Sequence, residues 1–159
     1  DKQYKPQLIF LLFIKHKFMK VNRSQLVELI IPGVASVGNS GTKFYFPDVP
    51  YLRGVFTEGI ESFTNADQSV STTGNTVATG AQAAKAFITL VDDQANEIVQ
   101  NVPFADLHRV QNASTDPFVR VPYALCDKKL DFSKCYITLG SALANTANVS
   151  FIFNVYYHK

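Results

Sequence analysis

The chain has 159 residues, of which 47% are apolar and only 18% charged, with a formal net charge of +2. That length argues for a single domain around one core, and a charged fraction below the ~25% of an ordinary soluble protein leaves sparse charged surface, some of it expected to meet other protein. Thirteen Phe and seven Tyr, with no Trp, sit in short runs beside Val, Ile and Thr and not at helical spacing, which is strand composition.

Charge is unevenly placed. Up to Arg23 there are six basic residues (Lys2, Lys5, Lys15, Lys17, Lys20 and Arg23) against Asp1, a net +5, whereas nine basic and twelve acidic residues leave the remainder at −3. A basic leader of this kind suits a weak contact with nucleic acid or another anionic surface, though it lacks a block of five consecutive basic residues. Within it, the apolar run at 8–14 is far short of the ~20 residues that cross a bilayer. Lys15, His16 and Lys17 follow where a signal-peptide cleavage site would need small residues, so neither a membrane span nor a signal core is read here. Met19 looks like a translational start. Residues 1–18 are therefore read as a basic, apolar N-terminal arm or extension, and 19–159 as a single β-sandwich domain.

Turn chemistry then punctuates the chain at short intervals. A first strand over 26–31 stops at Pro32-Gly33; a turn at 38–41 leads to a second over 42–46, stopped by Pro47. Residues 51–64 read as one bent strand with Gly54 and Gly59 as kink or bulge positions. The stretch 65–80, rich in Ser, Thr, Gly and Asn, is expected to be a long exposed loop ordered by a partner, with a short edge strand near 76–78. One helical turn is expected at 80–85. Strands over 86–91 and 97–102 flank a hairpin signal at 92–96. Residues 104–110 read as an extended segment or a turn of helix, and further strands are expected at 118–121, 136–139 and 149–157. In the last, Val149, Phe151, Phe153, Val155 and Tyr157 share one face, with Ser150, Ile152 and Asn154 on the other, so the strand must be buried in a sheet. Eight or nine strands with few helices predict an all-β fold, an antiparallel β-sandwich.

Chemistry-bearing residues are few. Cys126 and Cys135 flank a short polar stretch and are placed across a hairpin, within reach of a disulfide if register allows, but are read as two free thiols. His16, His108 and His158 have neither cysteines nor one another nearby, so no metal set is expected. The glycines and Thr42-Lys43 between 33 and 43 have the wrong order for a phosphate-binding loop and precede a strand, not a helix. Asp92, Asp93, Asn96 and Glu97 cluster oxygens but lack the glycine and twelfth-position acid of a helix-loop-helix calcium site, and read as a solvated turn. Glu58 and Glu61 are expected on opposite faces of their strand, which prevents paired acid–base work. His108 lacks the neighbours of a nucleophile elbow. Catalytic, cofactor-binding and metal residues are accordingly read as none, and no enzyme is expected.

Together, the strands, the polar stretch at 65–80, the basic leader and the apolar strand at 149–157 resemble a viral single jelly-roll capsid protein of the bacteriophage kind, over residues 19–159. The resemblance implies a sandwich of jelly-roll type with eight antiparallel strands, assembled around symmetry axes. It implies a structural subunit of a virion (capsid, penton or minor capsid protein), made in the host cytoplasm, partnered by copies of itself and other capsid subunits. The alternative is a carbohydrate-binding or adhesive sandwich in which Tyr51, Tyr123 or Tyr156 stacks on sugars.

Overall fold

The computed structural model describes residues 23–33, 40–67, 71, 73–107, 123–143 and 146–159. The arm at 1–18, the strand expected at 118–121, His16 and His108 lie outside the described residues. Among the described residues, nine strands form two sheets. They are β1 (Arg23–Ile31), β2 (Lys43–Tyr45), β3 (Phe56–Phe63), β4 (Thr76–Val77), β5 (Ala86–Val91), β6 (Glu97–Pro103), β7 (Tyr123–Lys128), β8 (Tyr136–Leu139) and β9 (Val149–His158). A single turn of helix, α1 (Gly80–Ala83), precedes β5 and begins with a capping box in which Thr79 and Gln82 each satisfy the other's backbone N–H. This is the all-β, antiparallel sandwich that the alternating runs predict.

One sheet has the order β1-β9-β3-β7, with β4 running parallel to the start of β9; the other has the order β2-β8-β5-β6. Apart from β4, every pairing is antiparallel. The pairing is nested: β1 with β9, β2 with β8, β3 with β7 and β5 with β6, so that early strands meet late ones and the innermost pair is a hairpin.

Side-chain alternation explains the layers. Val27, Leu29 and Ile31 of β1 lie opposite Phe153, Phe151 and Val149 of β9, all buried between the sheets. Phe153 sits at the centre of an aromatic cluster, with ring centroids 4.9 Å from Phe46, 6.2 Å from Phe132 and 6.4 Å from Phe104. The second sheet contributes Ile88, Leu90, Val99, Ile137 and Leu139. Ser150, Ile152 and Asn154 do face away from this core, yet Ser150 and Ile152 are also fully buried, so β9 is covered on both faces.

Several expectations need correcting. Residues 51–64 are not one strand. Pro50–Leu52 is a 3-10 turn, started by the fixed φ of proline, and Gly54 takes φ +69 to turn the chain before β3 begins. The bulge expected near Gly59 is present, as a register shift between Thr57 and Gly59. The stretch 65–80 is not a free loop: Ser71, Val77 and Ala78 are buried, Asn65 N–H donates to Ala78 O (2.9 Å), and Ala78 N–H donates to Ser150 O (2.9 Å). The described hydroxyls of Ser71 and Thr73 and the described backbone of Asn65 and Ala78 find partners inside the chain, in place of the apolar contacts the stretch lacks. The hairpin expected between Cys126 and Cys135 is not formed, because β7 belongs to one sheet and β8 to the other.

Candidate functional site

The chemically richest place is the end of the sandwich where β3 begins and β7 and β9 finish. The bulge in β3 inserts Glu58 between Thr57, opposite Tyr157, and Gly59, opposite Tyr156. An extra residue breaks the two-residue alternation, and it brings Glu58 beside His158 on the outward face of the sheet. Glu58 Oε1 is 2.8 Å from His158 Nδ1, and Asp127 Oδ1, from β7, is 3.7 Å from the same nitrogen. Asp127 has φ +55, a left-handed conformation that aspartate tolerates better than most residues.

The imidazole is held by its surroundings. Phe56 stacks on it with centroids 5.4 Å apart and planes 15° from parallel, and the Lys129 ammonium lies 4.8 Å from the Phe56 centroid. His158 is only 9% exposed. Its Nδ1 is fully buried and makes no hydrogen bond, because the nearby Glu58 oxygen is close but poorly aligned with a donor direction in the ring plane. One ligand-capable atom each from Glu58, Asp127 and His158 lies within 4.8 Å of the others. Such a cluster is suited to holding a positive charge. Sequence reading missed it by looking for cysteines and other histidines near His158, when the neighbours are carboxylates delivered by pairing across three strands.

The β5–β6 hairpin is close by. Asp92 is consumed by its own turn: Oδ1 accepts from Gln94 N (3.0 Å) and Asn96 N (2.8 Å), and Oδ2 accepts from Asn96 Nδ2 (3.1 Å). The Asn96 amide, above all, holds this carboxyl below the usual range. Glu97 instead accepts from the Tyr136 hydroxyl at 3.1 Å. Of the four residues grouped by sequence, Asp92 and Asn96 therefore serve a turn and Glu97 a strand contact, while Asp93 lines the adjoining cleft. Beside them, a cleft of about 400 Å³ is lined by Asp48, Arg53, Asp93, Asp131 and Ser133 among others. Arg53 spans it with a two-pronged pair to Asp48, and the Ser133 hydroxyl, first among several donors, lowers the Asp131 carboxyl.

A second polar cluster pins the stretch 65–80. Glu28 Oε1 accepts from the hydroxyls of Ser71, Ser150 and Thr73, the last at 2.9 Å. Ser71 Oγ in turn accepts from Thr73 N and Asn75 N, both at 3.2 Å. The same strand, β1, is an edge among the described residues and carries Leu26 (40% exposed) and Ile30 (37% exposed) on its outward face. A groove of about 400 Å³ beside it is lined by Leu29, Ile30, Tyr45 and Pro47, with Glu28 and Thr73 at its rim.

The remaining sequence candidates are scattered. Tyr51 is exposed on its 3-10 turn, Tyr156 donates to Glu61 Oε2 at 2.9 Å, and the Tyr123 side chain lies outside the described residues, so Tyr51 and Tyr156 form no shared platform; the tyrosine pair in ring contact among the described residues is Tyr45 with the buried Tyr136, centroids 5.6 Å apart. Cys135 is a free, buried thiol; the side chain of Cys126 is outside the described set. The glycine-rich stretch from 33 runs into β2, a strand, as expected. No helix among the described residues is long and apolar enough to cross a membrane. Comparison with protein-family models, curated proteins and solved structures finds no match.

Proposed function

We propose that the chain is a structural subunit of jelly-roll type that works by self-association, as a capsid, penton or minor capsid protein of a virion does. The observation that supports this reading is the nested pairing of β1 with β9, β2 with β8, β3 with β7 and β5 with β6 across a five-stranded and a four-stranded sheet, a nesting that a double-sheet jelly roll would also have. Since that architecture serves lectins as well as shells, the choice between them rests on surface. Among the described residues β1 is an edge strand, and it carries two exposed aliphatic side chains, Leu26 and Ile30. A long edge of that kind is a template for another chain, and the adjoining apolar groove gives a neighbouring copy something to bury. A sugar site needs clustered exposed rings, whereas Tyr45 pairs with the buried Tyr136, edge to face at 5.6 Å.

Sedimentation velocity across a concentration series, with electron microscopy of the heaviest fraction, tests the proposal. Closed oligomers with rotational symmetry are expected. A single-chain species at every concentration would sink it and return the sugar-binding reading to first place.

A further inference from the structure

We propose that Glu58, Asp127 and His158 form a binding site for a first-row divalent cation, with His158 Nδ1 and one oxygen from each carboxylate as ligands and water completing the shell. A neutral imidazole whose Nδ1 carries a lone pair would face two carboxylates at 2.8 and 3.7 Å, a repulsive arrangement. Protonating Nδ1 relieves the charge but leaves the new N–H without an aligned acceptor, since no hydrogen bond is made from this fully buried atom. A metal ion would give the buried Nδ1 a partner, with an oxygen each from Glu58 and Asp127 at hand as anionic ligands. It sits ~2 Å along the lone pair, and ligand atoms around such an ion lie ~3 Å apart, near the two distances to Nδ1, while the three ligand atoms together lie within 4.8 Å and close somewhat on the ion.

The donor set selects the ion. Imidazole nitrogen favours zinc and its first-row neighbours over calcium or magnesium, while two carboxylates keep the site hard enough for manganese. Phe56 fixes the ring plane by stacking. Asp127, half exposed, is the side from which water and the ion enter. Lys128 and Lys129 follow Asp127 directly; the Lys129 ammonium is drawn over the Phe56 ring, and the lysine charges lower the affinity for a cation. A bound ion would fasten the start of β3 to the ends of β7 and β9.

The test is calorimetric titration of the full chain with zinc, repeated with calcium, and cobalt substitution read by visible absorption. One equivalent of zinc should bind, with calcium weaker by at least roughly tenfold, and cobalt should give a nitrogen–oxygen ligand spectrum. Asp127→Asn, at an exposed position, should fold normally and lose roughly tenfold or more in zinc affinity; His158→Gln should abolish the cobalt bands. If His158→Gln does not fold, imidazole nitrogen shifts in the unaltered protein replace it: a zinc-dependent shift at Nδ1 supports the site. No binding of zinc, binding untouched by Asp127→Asn, or an imidazolium signal indifferent to zinc overturns the proposal.

Discussion

Phe153 shows what one side chain carries. It is fully buried, flanked by Phe46, Phe104 and Phe132, and lies opposite Val27 across the strand pair. Truncation to alanine removes that volume from the point where both layers meet, and should cost about 3–5 kcal/mol, most of the stability of an ordinary domain. Urea unfolding of Phe153→Ala measures this; a midpoint close to that of the unaltered chain would mean the cluster collapses around the gap. Cys135 carries a different burden. Its thiol accepts from Val91 N at 3.2 Å and can donate to Asp131 O at 3.2 Å, and burial pushes its pKa up to about 12 from an ordinary 9.0. Between those values the unfolded chain gives up the proton and the folded chain keeps it. Stability from this group is thus complete below pH 9 and declines as pH rises toward 12, by about 1.4 kcal/mol per pH unit at most. Comparing the alkaline slopes of the unaltered chain and Cys135→Ala isolates the effect, and equal slopes would count against a buried thiol.

At the scale of elements, the polar stretch between β3 and β5 depends on a single carboxylate from β1. Replacing Glu28 by alanine leaves the buried Ser150 hydroxyl only the Ser71 hydroxyl 3.3 Å away, while Ser71 keeps its contacts with Thr73 and Asn75, and should cost about 1–3 kcal/mol. Amide exchange at Thr73 and Asn75 should speed up while that of β9 is little changed; unaltered exchange would show the stretch is anchored elsewhere. A second element-scale prediction concerns the β1 edge. Leu26→Lys with Ile30→Lys places two charges on the exposed face without touching Val27, Leu29 or Ile31. Folding should persist by circular dichroism while sedimentation shifts toward single chains, and unchanged oligomers would remove β1 from the interface. Strand alternation made β5, β8 and β9 readable directly from sequence, because burial on a sheet imposes a two-residue rhythm on Phe, Val and Ile. β7 was not readable: Tyr123–Lys128 mixes small and charged residues, and its partner β3 is more than sixty positions away. The His158 cluster escaped for the same reason, since a bulge re-aimed Glu58 and Asp127 arrives from β7. Local pattern reveals which face a residue prefers, and long-range register decides whom it meets.

For the whole molecule, the position of β9 sets the order of events. It lies between β1 and β3, and its pairing of Tyr157 with Arg23 joins residues 134 positions apart. Until residues 149–158 have emerged from the ribosome, β1 and β3 have no common neighbour, and the layer they belong to does not exist. Loop closure over such spans slows folding toward the millisecond-to-second range of all-β domains. A nascent chain therefore displays Val27, Leu29, Ile31 and Ile60 throughout most of its synthesis, and refolding after stopped-flow dilution should run in one slow phase in which both sheets appear together. Early formation of the β5–β6 hairpin is compatible with that sequence; early protection of β1 amides would not be. The strand that completes the core is thus also the timer for it, and a ribosome stalled short of residue 149 holds a chain with two unfinished edges and every reason to bind a chaperone.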